Sequence, residues 1–164
     1  MKRTFQSLLF SAATLGSAGG AFAQSAPLPY GEPIASAKAT QVIAAAEAES
    51  CKNGWAMSIA IVGPAGNLLH LHRMDNSNGS STDVAISKAR SAALFRRPTK
   101  VFQDLLAQGA ALTYLLALEG AVPVQGGIPL VVDNKIVGAV GISGGSGADD
   151  SAVAEAAARA MSAR

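Results

Sequence analysis

The chain has 164 residues, 49% of them hydrophobic and 15% charged, with a single cysteine, Cys51. Its 13 basic and 11 acidic side chains give a formal charge of +2, without the basic excess that a nucleic-acid binder shows. One cysteine excludes an internal disulfide and a cysteine-built zinc site, so the fold must stand on packing.

The chain opens with Lys2 and Arg3, an apolar run over 8–18, and Ala21-Phe22-Ala23 ahead of Gln24. A charged start, a short greasy stretch and a small-residue cleavage site are the order of an export signal. The run is too short to span a bilayer, and no later stretch reaches about 18 uncharged apolar residues. Residues 1–23 therefore read as a signal peptide cleaved near Ala23-Gln24, which implies a periplasmic or secreted protein. Losing Lys2 and Arg3 takes the basic count from 13 to 11, level with the acidic residues. A neutral, Ala- and Gly-rich surface is compatible with self-association. Cys51, in an oxidising compartment, is expected to be buried and inert.

Residues 24–33 carry Pro27, Pro29, Gly31 and Pro33 and read as an extended leader into one domain over 34–164. An Ala-rich helical stripe follows over 34–52, closed by Asn53-Gly54, residue types that accept the left-handed cap. A strand over 55–62, with both faces apolar, turns at 63–67 and returns over 68–74 as an antiparallel hairpin. After the polar loop 75–81, Ser81 or Thr82 can cap a helix over 83–96, which must end before Pro98. Thr99 can cap a shorter helix through Phe102 and Leu106, stopped by Gly109. Residues 112–118 suit either a helical turn or a strand, and 122–124 suit a short edge strand, since Pro123 lacks a ladder donor.

Two β-branched runs, 128–132 and 136–142, flank Asp133-Asn134-Lys135 and predict a second hairpin, because Asp and Asn tolerate the left-handed turn. Gly126-Gly127 and Gly144-Gly145 stand at its ends, where backbone or ligand can approach closely. A last Ala-rich helix is expected over 149–162, with Ser146, Asp149 and Asp150 at its positive end. Adjacent hairpins with helices against them define an α+β domain with an antiparallel sheet, not a parallel dinucleotide fold.

Chemistry has few anchors. The glycine run 141–147 lacks the Lys-Ser/Thr of a P-loop and follows the last strand, so it is no phosphate cradle. His70 and His72 alternate with Leu69 and Leu71 and share one strand face, where they could hold a metal or approach a haem iron. Arg73 and Asp75, then Lys88, Arg90, Arg96 and Arg97, form a polar group suited to carboxylates such as haem propionates or small acids. The plain alternative is a salt-bridged surface with Asp75 and Asp83 as partners.

These residues also carry a resemblance. Arg73-Met74-Asp75, Lys88-Ala89-Arg90-Ser91-Ala92-Ala93, Phe95-Arg96-Arg97-Pro98-Thr99, Gly126-Gly127-Ile128-Pro129 and the run from Val137 to Gly145 occur in order. The sequence resembles the GlcG/HbpS haem-binding family, also seen at the C-terminus of some PduO corrinoid adenosyltransferases. The resemblance implies a five-stranded antiparallel sheet, akin to profilin- and PAS-like domains, and assembly into homo-oligomers. It implies haem as the cofactor, an accessory role of the kind some secreted members have, and Thr99 as a residue linked to iron. His70 or His72 is the competing ligand. Lys88, Arg73 and Arg96 would meet propionates, Phe95 the ring, and Gly126-Gly127 the pocket border. Ser91 stands where the family often has threonine. The other readings are an enzyme for a small carboxylic acid, with Asp75 as base and the Gly126-Gly127 amides holding an oxyanion, or a non-catalytic oligomeric scaffold.

Overall fold

The computed structural model describes residues 26–162, so the expected signal peptide lies outside the described residues. Four helices and four strands form one α+β unit: α1 (Ser36–Asn53), β1 (Ser58–Val62), β2 (Leu68–Arg73), α2 (Ser81–Phe95), α3 (Lys100–Leu106), β3 (Gly127–Val132), β4 (Lys135–Ser143) and α4 (Gly147–Arg159). The sheet is antiparallel throughout, in the order β2-β1-β4-β3. Among the described residues no helix is long and apolar enough to cross a membrane.

Helices cover both faces of the sheet. Met57, Ile59, Ile61, Leu130, Val140 and Ile142 pack against Val42, Ala46, Val153 and Ala157 of α1 and α4. Ala60, Val62 and Ala139 meet Ala85, Ala89, Ala92 and Ala93 of α2. β1 is therefore buried along its whole length, as its two apolar faces require. The second hairpin turns through Asp133 (φ 47) and Asn134 (φ 58), the paired left-handed conformation that matches strand twist.

The α2 layer lies very close to the sheet. Gly127 and Gly141 are cross-strand partners. A Cβ on Gly127 would run into the Lys88 carbonyl, and one on Gly141 into the Ala85 carbonyl and the Ala89 amide. Helix backbone thus rests on bare strand backbone, an approach that only glycine permits.

Several expectations need correction. Among the described residues the sheet has four strands, not five: Val122 N–H donates to Ser91 Oγ (3.0 Å) and Gln125 N–H to Gln103 Oε1 (3.0 Å). Side chains thus take the Val122 and Gln125 N–H groups that a ladder would have used. Instead the leader joins the sheet at one point, where Tyr30 bridges Ile136 in parallel. Residues 110–117 form a 3-10 helix, the helical one of the two readings left open for 112–118, with Tyr114 and Leu116 exposed. The Ser81 hydroxyl does not cap α2; it donates to Asn78 O and meets Ser58 Oγ, both at 2.7 Å. Cys51 is exposed, not buried, because α1 turns its Ala39, Val42, Ala46 and Ser50 face to the core.

Replacing Gly141 by alanine is expected to force α2 off the sheet. The loss should be about 1–3 kcal/mol, the usual cost of overpacking, read as a lowered urea midpoint with an unchanged slope.

Candidate functional site

The glycine-lined approach of α2 brings a buried ion pair into being. Lys88, 1% exposed, reaches past Gly126 and places Nζ 2.6 Å from Asp150 Oδ2 on α4 and 3.1 Å from the Ile142 carbonyl. Asp150 Oδ1 accepts the Gly145 N–H at 3.1 Å. A Cβ on Gly126, whose φ is 115°, would stand 3.0 Å from Nζ and 2.8 Å from the Asp150 Cβ, so the pair needs glycine here. Burial pushes the Asp150 carboxyl above its ordinary value; the Lys88 hydrogen bond and charge oppose that shift without cancelling it.

This placement revises the role of Lys88. Sequence grouped it with cations offered to a ligand's carboxylates, but its ammonium is occupied inside the protein. The partner, Asp150, was visible only as an acid in the first turn of α4, next to the capping-box residue Asp149. Nothing in its spacing from Lys88 joins the two.

Thr99 lies beside this pair and is fully buried. Its N–H donates to Gly127 O and its Oγ1 accepts the Gly127 N–H, both at 3.0 Å, so the threonine pairs with strand backbone instead of capping α3. Iron ligation through Oγ1 would have to use its second lone pair, on a side chain that the protomer buries completely. The same bond occupies the Gly127 amide, which leaves it no donor for an oxyanion. Phe95 is half-buried, its ring edge-to-face with buried Phe102 at 5.0 Å.

Immediately outside this packed region, Ala26, Pro27, Leu28, Arg96, Arg97 and Val101 line an open cleft of about 340 Å³. Arg96 ends α2 in the left-handed conformation (φ 54), a strained choice for a residue with a Cβ. Its guanidinium stacks on Tyr30 at 5.5 Å and donates to Leu28 O, while that of Arg97 stacks on Phe102 at 5.7 Å. Among the described residues no carboxylate pairs with either arginine. Asp75 and Asp83, expected as salt-bridge partners, pair with no cation among them either.

The remaining candidates sit elsewhere. His70 and His72 do share a face of β2, opposite Ile61 and Ile59, and so point to the α1 side. His70 Nε2 is 3.0 Å from Ser36 Oγ, and His72 Nε2 is 3.5 Å from Glu47 Oε1. Arg73 donates to the Ser77 carbonyl at 2.6 Å. β2 and β3 are opposite edges of the sheet, three strand spacings or roughly 14 Å apart. The fold thus brings together Lys88, Phe95, Arg96, Thr99, Gly126 and Gly127, and separates them from His70, His72 and Arg73.

The arrangement is that of a family, and comparison with known proteins supplies it. Residues 34–159 match the HbpS-like family, described as "Haem degrading protein HbpS-like", and the chain belongs to that family. Protein GlcG of Escherichia coli K12 is 40% identical over 105 residues, 64% of this chain and 77% of GlcG. The structure of a double mutant of Streptomyces reticuli HbpS superposes with a TM-score of 0.71 at 31% identity, covering 91% of this chain and 97% of HbpS. A PduOC–haem complex gives a TM-score of 0.71 at 27% identity, covering 78% of this chain and 94% of that one.

Truncating Asp150 to alanine leaves a buried ammonium and should cost about 3–5 kcal/mol, whereas Lys88→Met with Asp150→Leu should be nearly neutral. The pair also has a pH signature. The unfolded carboxyl titrates near 3.8 and the folded one higher, so the folded state binds more protons between those values. The contribution of this group to stability is therefore full below 3.8 and declines as pH rises through the folded value. Urea midpoints of the wild type, taken relative to the double variant, should fall across that window.

Proposed function

We propose that this protein is an exported haem-binding accessory protein, with the Arg96–Arg97 cleft receiving the propionates. The observation that carries the reading is the pair of guanidiniums without carboxylate partners among the described residues, set among apolar Pro27, Leu28 and Val101. Arginine binds carboxylates in a planar, two-pronged fashion, and apolar walls suit the macrocycle edge. The family description and the haem complex of the PduOC relative support the same ligand class.

A volume of about 340 Å³ lies at the lower end of ligand sites, which run from about 300 to 1,000 Å³. A macrocycle held here needs a second wall, and in this reading a neighbouring copy of the chain supplies it. The exposed Tyr114, Leu116 and Val124 give that copy apolar surface to cover. Thr99 is the residue carried over as an iron ligand, through the lone pair that its Gly127 bond leaves free. His70 and His72, on the other edge and face, would serve only a haem bound by another copy. Export rests on the N-terminal signal pattern and would leave a mature protein beginning at Gln24.

The test is a haemin titration of residues 24–164 followed at the Soret band. A saturable shift is expected, weakened on the order of tenfold in Arg97→Ala, since one charge-assisted contact is worth about 1.5–3 kcal/mol. Arg96→Gly should weaken binding similarly yet raise thermal stability, because glycine adopts φ 54 without the roughly 1 kcal/mol penalty. A flat or unsaturable response sinks the haem reading. A Soret position unchanged in Thr99→Val removes Thr99 as ligand.

A further inference from the structure

A second cleft, of about 310 Å³, opens between α1 and the end of β2 and is lined by Glu47, His72, Arg73, Met74 and Asp75. We propose that His72 and Glu47 in this cleft form an exchangeable binding site for a borderline divalent cation such as Zn²⁺ or Cu²⁺, separate from the Arg96–Arg97 cleft.

The geometry starts from one distance. His72 Nε2 and Glu47 Oε1 stand 3.5 Å apart, one carried by a strand and the other by a helix. Two donors bound to one cation at about 2.0–2.2 Å with a tetrahedral angle stand about 3.3–3.6 Å apart. The pair is thus already at the spacing that ligation demands, on elements whose backbones are fixed by the core. An imidazole with a carboxylate suits Zn²⁺ or Cu²⁺, whereas Ca²⁺ and Mg²⁺ prefer oxygen alone.

The surroundings separate this site from a bare surface ion pair. The cleft leaves room for the cation with its own waters. Asp75, whose carboxylate pairs with no cation among the described residues, lines the same cleft and adds a second negative charge. The opposing charge of Arg73 is turned to the Ser77 carbonyl. His70, two residues along the same face, is engaged by Ser36, which makes Glu47 and not His70 the partner of His72. Among the described residues no three His, Cys, Asp or Glu converge as a cage. Two protein donors with water in the other positions make a site that exchanges its ion readily.

Copper titration of tag-free protein tests this, in a Cys51→Ser background because the exposed Cys51 thiol would itself capture the metal. One saturable Cu²⁺ is expected, with electron paramagnetic resonance showing hyperfine coupling to a single imidazole nitrogen. Affinity should drop on the order of tenfold or more in His72→Gln and in Glu47→Gln. It should be unchanged in His70→Gln and in Arg96→Gly, the latter keeping this result independent of haem binding. The mutated side chains are partly solvent-exposed, and unchanged circular dichroism will show that the fold is kept. A two-nitrogen signal, an equal loss in His70→Gln, or no saturable binding overturns the assignment.

Discussion

The contact on which the rest of this structure depends is the meeting of α2 with the bare backbone of Gly127 and Gly141. Ordinary helix-on-sheet packing is separated by side chains on both surfaces. Here alanines on the helix and glycines on the strands remove them, and the Lys88 and Ala85 carbonyls lie against the sheet itself. Small residues bury little apolar area each, so the face gains its attraction from many close contacts and tolerates almost no added volume.

From that closeness follows the polar anatomy of the region. Lys88 leaves α2 so near the strand that its side chain can pass Gly126 and meet Asp150 on the opposite layer. Desolvating two charges is expensive, and the pair persists because the Ile142 carbonyl and the Gly145 amide satisfy further valences. Thr99 completes the structure by exchanging two hydrogen bonds with Gly127, which holds the start of α3 to the start of β3. The cleft beside it inherits rigid walls: Arg96 and Val101 flank the point where Thr99 is fastened. The left-handed Arg96 is then understandable as strain retained to keep a guanidinium at that position.

Two polar regions therefore sit at opposite edges of one small sheet, with different chemistry. The Arg96–Arg97 cleft offers cations and apolar walls, and fits an anionic, largely apolar ligand. The His72–Glu47 cleft offers an imidazole and carboxylates, and fits a cation. They share no residue, and the sheet between them is packed with large side chains on its α1–α4 face and with small side chains and bare glycine backbone on its α2 face.

Sequence alone determined the elements whose signals are local. The Asp133-Asn134 turn, the Gly54 cap, the double-sided burial of β1 and the acidic start of α4 each rest on a few neighbouring residues, and each appears as read. The family was also legible, because five short motifs recur in order along the chain. Decisions between segments distant in sequence belonged to the tertiary structure. Whether 122–125 joins the sheet was settled by Ser91 and Gln103, whether Thr99 caps a helix by Gly127, and whether Lys88 faces solvent by an aspartate 62 residues away. Hydrogen-bonding groups take whichever partner the packed fold delivers, and periodicity records only the face an element presents, not what it will meet.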